Sequence, residues 1–227
     1  MNKYLILLIT VSLSCSSCFS RKSNNDRKIK NVLILGNSIV AHSPLAEIGW
    51  AGDWGMAASA RDSDFVHRLS VDIHKVDKSV DVSWGNLSMF ENNYESYDLS
   101  QLAAWRNPDM LIIKISENVK YVQGMDEKFI SRFDALIRYL TSADSTAIII
   151  VEGYWPTPVN DMIRNYALQY SFPFVPLADL YTDDPKNSAI GLFEHEGVSL
   201  HPSDQGMRNI ASRIWDAISD FFDKQSN

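Results

Sequence analysis

From residue 31 onward, short apolar runs alternate with stretches whose apolar residues recur every three or four positions. Val32-Leu33-Ile34-Leu35, closed by Gly36, is an unbroken apolar run of the kind that forms strands buried on both faces. Phe65, Leu69, Ile73 and Val76 follow a helical step, and the spacing predicts a helix over 57–75. Val80 to Trp84 alternates and predicts a strand. A helix is expected over Tyr97 to Arg106, stopped near Pro108, and Met110 to Ile115 is a second buried strand. Phe129, Phe133, Leu136, Ile137 and Leu140 share one helical face. Ala147 to Val151 is a strand, Asp161 to Tyr170 a helix, and Phe174-Val175 a short strand. Met207, Ile210, Ala211, Ile214, Trp215 and Ile218 line a final helix. Strands alternating with helices imply an α/β fold with a mainly parallel sheet covered on both faces. Ligands of such sheets bind beyond the carboxyl ends of the strands, here just after Leu35, Trp84, Ile115 and Val151. No internal repeat and no linker interrupts residues 31–223, so these form one domain.

The first residues follow a different pattern. Lys3 precedes an apolar run from Tyr4 through Leu13, which has the charge and length of an export signal but not of a membrane-spanning helix. The run ends in Ser14-Cys15-Ser16-Ser17-Cys18. Small residues followed by Cys resemble the cleavage box of a bacterial lipoprotein, whose Cys carries the lipid. The expected division is a signal peptide over 1–17, a lipidated Cys18 with Cys15 as the alternative, and a flexible polar tether over 18–30. That places the protein in the cell envelope, held to a membrane by its lipid, in the periplasm or at the outer membrane.

Composition narrows the function. The chain has 227 residues, 45% hydrophobic and 22% charged, enough to bury a full core. A net charge of -7 without a basic stripe argues against nucleic-acid binding. Both cysteines lie in the N-terminal segment, so the domain has neither a disulfide framework nor a Cys metal site. His195 and His201 stand six apart with no His-Glu-x-x-His, and no metal site is expected. His67 and His74 fall on the first helix and are expected to pack or face solvent. His42 and His195 lie in loops that could line the site. Oligomeric state is not legible.

Three short segments carry candidate chemistry. Gly36-Asn37-Ser38 follows the first strand; a Ser in such a turn can act as a nucleophile if a base lies nearby, or can simply cap a helix. Ser116-Glu117-Asn118 follows the strand ending at Ile115. Its Asn can donate to an oxyanion, and a polar turn is the plainer reading. His201-Pro202-Ser203 precedes the final helix, with Ser203 as N-cap and His201 as a candidate general base.

In this order and at these strand ends the segments resemble the SGNH (GDSL-type) hydrolase family, over about residues 31–223. The resemblance implies a three-layer α/β/α fold with a flavodoxin-like sheet. It assigns Ser38 as nucleophile, Asn118 to the oxyanion hole and His201 as base, and it requires no cofactor. The chain departs from the family pattern at several positions. Asn37 replaces the Asp before the nucleophile, Ser116 and Val119 flank Asn118, and Val198 stands where the acid supporting the His belongs. Glu196, Glu194 or a backbone carbonyl could substitute for that acid. Gly36, Asn37, Gly85 and Asn86 are candidates for the oxyanion or substrate loop. Trp50, Trp54 and Trp155 could stack on sugar rings or pack their loops. The expected activity is therefore hydrolysis of acyl esters, above all acetyl esters on carbohydrate. The alternative is a non-catalytic glycan-binding envelope lipoprotein on the same scaffold, for which the missing acid speaks.

Overall fold

Residues of the first strand point alternately into two separate cores. Val32 and Ile34 pack with Ile112, Ile149 and Val151 on one side, while Leu33 and Leu35 pack with Leu111, Ile113, Ile148 and Ile150 on the other. This two-sided burial is why the strands read as unbroken apolar runs. Each fully buried Ile, Leu or Phe contributes on the order of 1.5–3 kcal/mol to folding.

The structure is a computed structural model and describes residues 28–141 and 146–223. In chain order its main elements are β1 (Asn31–Gly36), α1 (Phe65–Val76), β2 (Asp81–Asn86), α2 (Ser88–Asn93), β3 (Met110–Lys114) and α3 (Asp126–Leu140). β4 (Ala147–Val151), α4 (Pro158–Tyr170), β5 (Phe174–Val175), α5 (Ala178–Asp183), α6 (Glu196–Ser199) and α7 (Asp204–Ile218) follow. The strands form one parallel sheet in the order β2-β1-β3-β4-β5. α1 and α7 cover one face through Phe65, Leu69, Ile210 and Ile214. α3 and α4 cover the other through Phe129, Phe133, Ile163 and Tyr166. The result is the expected three-layer α/β/α arrangement, with the strand order reversing between β1 and β3. In open α/β sheets a crevice opens at that reversal.

Three expectations change. The helix expected over 57–75 begins only at Phe65. Ala57 has a positive φ of 71°, and the buried Asp64 caps α1 by accepting from the His67 N–H at 2.8 Å. The second oxygen of Asp64 accepts from the Gly55 N–H at 3.0 Å, so the preceding segment is a tied loop. Leu99–Trp105 is a 3-10 helix in which only Leu102 is buried, too little apolar surface to hold an α-helix. Residues 29 and 30, expected in the tether, belong to the fold. Ile29 is buried in the core, and the Lys30 N–H donates to Asp109 at 2.9 Å. The expected signal segment, Cys15 and Cys18 lie outside the described residues.

Candidate active site

The turn after β1 is built from backbone economy and one buried amide. A Cβ on Gly36 would stand 2.5 Å from both the Lys114 carbonyl oxygen and Val40 Cγ2, so only Gly lets the end of β1 lie against β3. The Asn37 carbonyl accepts from the N–H groups of Val40 (2.9 Å) and Ala41 (3.1 Å), and its Oδ1 accepts from Ile39 (3.2 Å). These bonds turn the chain and leave Ser38 partly exposed at the bend. The Met56 N–H anchors the Ser38 carbonyl at 2.8 Å.

His201 comes from the far end of the chain and meets this serine. Its Nε2 lies 2.7 Å from Ser38 Oγ. Its Nδ1 lies 2.7 Å from the carbonyl oxygen of Gly197. A carbonyl can only accept, so Nδ1 carries the hydrogen and Nε2 is free to take the serine proton. The carbonyl is available because the last turn of α6 tightens: the His201 N–H bonds to Val198 O at 3.0 Å rather than to Gly197. The imidazole is only 7% exposed, and burial pushes its pKa down to about 4, against the raising effect of the Gly197 carbonyl. It is therefore neutral near pH 7, the form a general base needs. Trp155 holds the same loop: its indole N–H donates to Leu200 O at 3.1 Å, and its ring meets the imidazole edge-on with centroids 5.1 Å apart.

Asn118 is partly buried beside a cluster of buried ionisable groups that sequence reading missed. The Asn118 Nδ2 donates to Glu91 Oε2 at 2.7 Å. Glu91 Oε1 accepts from the Ser116 N–H (2.8 Å), the Asn118 N–H (3.3 Å) and Asn37 Nδ2 (3.3 Å). Asn37 Nδ2 also donates to Glu117 Oε2 at 2.7 Å. Glu117 forms an ion pair with Lys114, both side chains being fully buried, and accepts from the Tyr154 N–H at 2.7 Å. Burial pushes the Glu117 carboxyl up, but the Lys114 ammonium and these donors outweigh it and hold the pKa below its ordinary value. A charged residue inside the run Met110 to Ile115 was the available signal, since a buried lysine requires a buried acid.

The other candidates are placed as follows. Glu194 and Glu196 are exposed and neither contacts the imidazole; the Gly197 carbonyl stands in for the carboxylate. An acid at position 198 would be buried in an apolar pocket, where Val198 packs with Trp50, Met56, Ala57 and Ala189. Gly85 belongs to β2, opposite Leu35, and a Cβ there would strike the Trp105 ring at 2.2 Å; it is a packing glycine rather than a loop donor. Asn86 ties the loops instead, its Nδ2 donating to Ala41 O at 2.7 Å and its Oδ1 accepting from the Ser88 N–H at 2.7 Å. Asn37 is fully buried and cannot face a substrate. Trp50 is buried against Trp54 and Phe193 and is no platform, while Trp54 and Trp155 are partly buried. His67 packs on Trp84 and His74 bonds to Val80 O, as helix-surface residues do. Beside the His201 loop a groove of about 670 Å³ is lined by Ala57, Ser188, Ile190, Leu192, Phe193 and Ser203, and neither Ser38 nor His201 lines it.

A psychrotrophic esterase, EstA from Pseudoalteromonas sp., solved inhibited by monoethylphosphonate, superposes with a TM-score of 0.54 at 15% identity. The match covers 86% of this chain and 99% of that one. The fold is that of the SGNH hydrolases. An acetyl xylan esterase, AlAXEase, matches with a TM-score of 0.53 at 14% identity over 83% of this chain and 99% of its own. A two-domain esterase active on acetylated mannans, co-crystallised with mannopentaose, matches with a TM-score of 0.53 at 20% identity over 84% of this chain. The match spans 50% of that protein's length. No family model matches the sequence, and none of the curated proteins matches it.

Proposed function

We propose that the protein is a serine esterase that removes acyl groups, above all acetyl groups, from carbohydrate, with Ser38 as nucleophile and His201 as general base. The observation that carries this reading is the 2.7 Å contact between Ser38 Oγ and His201 Nε2, with the opposite nitrogen held by Gly197 O. Nucleophile, base and an orienting acceptor are the parts acyl transfer needs. His201 takes the proton as Ser38 Oγ attacks the ester carbonyl. The oxyanion is met by the Ser38 main-chain N–H and by the Asn118 amide, whose Nδ2 has a second hydrogen beyond the one given to Glu91. Collapse of the tetrahedral intermediate sends the proton from His201 to the leaving alcohol. Water, deprotonated by the same imidazole, then attacks the acyl-serine, releases the carboxylic acid and restores Ser38.

Carbohydrate is favoured by the acetylated mannan and acetyl xylan activities of proteins that share the fold. Met89, Tyr121 and Val122 are exposed on the segments after β2 and β3 and offer apolar contacts to the C–H face of a sugar ring. We also assign the chain to the bacterial cell envelope, exported and lipidated at Cys18 or Cys15, on the pattern of its first residues.

Hydrolysis of p-nitrophenyl acetate by the purified protein tests the reaction. Ser38→Ala and His201→Ala should each lower kcat by roughly 10³-fold or more. Acetylated mannan and xylan, assayed by acetate release, then test the substrate class. Turnover of every ester no faster than that of Ser38→Ala would sink the enzyme reading and leave the glycan-binding alternative.

A further inference from the structure

Glu91 is 1% exposed, yet among the described residues no Lys or Arg forms an ion pair with it. What surrounds its carboxyl group is a set of donors. Oε1 receives the main-chain N–H groups of Ser116 and Asn118 and the side-chain amide of Asn37, and Oε2 receives the side-chain amide of Asn118. A buried group faced only by donors matches a carboxylate anion. Its partners also follow two different strands. Asn37 precedes the nucleophile in the turn after β1, and Ser116 and Asn118 form the turn after β3. One carboxyl group therefore joins the serine turn to the amide that would meet the oxyanion.

We propose that Glu91 is a positioning residue for the oxyanion pocket: its ionised carboxylate clamps the turn after β1 to the turn after β3 and holds one Asn118 amide hydrogen, directing the other toward the reacting carbonyl. The proposal rests on the serine-esterase reading. A neutral Glu91 would break the match, because its new O–H meets donors on every side. The simplest relief is rotation of the Asn118 amide, which brings Oδ1 to that O–H and turns Nδ2 away from the oxyanion.

The charged group facing Glu91 is Glu117, from the turn after β3, itself paired with Lys114 of β3; the β1 turn contributes only the neutral Asn37. Burial, then the Glu117 charge, pushes the Glu91 carboxyl up to about 7, against the pull of its donors. The clamp thus exchanges its proton close to neutrality. His201, held near 4, would by itself let activity persist well below that pH. An acid limb near pH 7 in kcat would belong to Glu91.

The test compares wild type and Glu91→Gln with p-nitrophenyl acetate from about pH 4 to about pH 9. Gln has the same shape but must point an NH2 at one of the donors. Glu91→Gln should lower kcat by about 10- to 100-fold with KM changed less than about threefold, and should lose the limb near 7. A variant with wild-type kcat and an unchanged pH profile overturns the proposal. Should Glu91→Gln fail to fold by circular dichroism, the wild type decides alone. In a titration of protein labelled with ¹³C and ¹⁵N, the Asn118 side-chain amide resonances should move with the ionisation of the Glu91 carboxyl. Amide resonances that stay fixed while Glu91 titrates, or a Glu91 that stays protonated throughout that range, would overturn it equally. Failure of the esterase reading looks different: wild type would hydrolyse no faster than Ser38→Ala, while the titration would still report on the clamp.

Discussion

At the scale of single residues, His201, the proposed base, is oriented by a peptide carbonyl rather than a carboxylate. Gly197 O fixes the tautomer of His201 as firmly as an acid would, since it can only accept. It offers a dipole instead of a full charge, so it stabilises the imidazolium less as the proton arrives. The burial that lowers the His201 pKa to about 4 works in the same direction. The nearby acids at 194 and 196 face solvent and do not share this task. Replacing them tests the assignment: Glu194→Gln and Glu196→Gln should each keep kcat for p-nitrophenyl acetate within about twofold of wild type, as surface changes usually do. A loss of tenfold or more in either would mean that a carboxylate reaches the imidazole during turnover.

At the scale of elements, β3 and the turn that follows it connect stability to the site. Lys114 is the one charged residue of that strand, and its ammonium offsets Glu117 inside the fold. Through Tyr154 and Asn37, Glu117 also joins the turns after β4 and β1. A buried pair of this kind is of uncertain net benefit when replaced whole, but removing one partner strands the other charge. Lys114→Met should therefore lower the unfolding free energy by about 3–5 kcal/mol, read from urea melts. A loss below about 1 kcal/mol would show that Glu117 takes up a proton without cost. α6 makes the complementary point. Four residues with almost no apolar face of their own matter because their last turn releases one carbonyl to His201.

At the scale of the molecule, two buried groups pull stability in opposite directions with pH. The folded-state pKa of His201 lies near 4, below its ordinary 6.5, so between those values the unfolded chain binds the extra proton. Its contribution to stability rises with pH across that window, by about 1.4 kcal/mol per pH unit at most. Glu91, raised from 4.5 to about 7, is protonated in the folded state where the unfolded chain is not, and its contribution falls with rising pH between those values. The two effects oppose each other over most of their range. Deleting one exposes the other: the stability of wild type relative to His201→Ala should grow as pH rises from about 4 to about 6.5. Urea unfolding of both proteins across that range measures it. A difference independent of pH would mean that the imidazole titrates normally in the fold.

The hydrophobic pattern alone specified the parallel α/β layering, because strands buried on both faces and helices buried on one have distinct periods. It also put Ser38 and Asn118 just beyond the carboxyl ends of two strands and His201 just before the final helix. Local composition could not say where α1 begins, because Ala57 to Asp64 are held in a loop by the bonds of Ser59 to the distant Asp204 side chain and by the buried Asp64, which joins Gly55 to the start of α1. A backbone carbonyl was among the expected partners of His201, but which one was invisible for a different reason: a carbonyl carries no residue identity, and its availability depends on how α6 ends. The buried set of Glu91, Lys114, Glu117 and Asn37 likewise exists only in three dimensions. These residues lie up to 80 positions apart, and each would be costly inside the fold without the others. Periodicity records which face is buried; only the folded chain decides which buried polar groups meet.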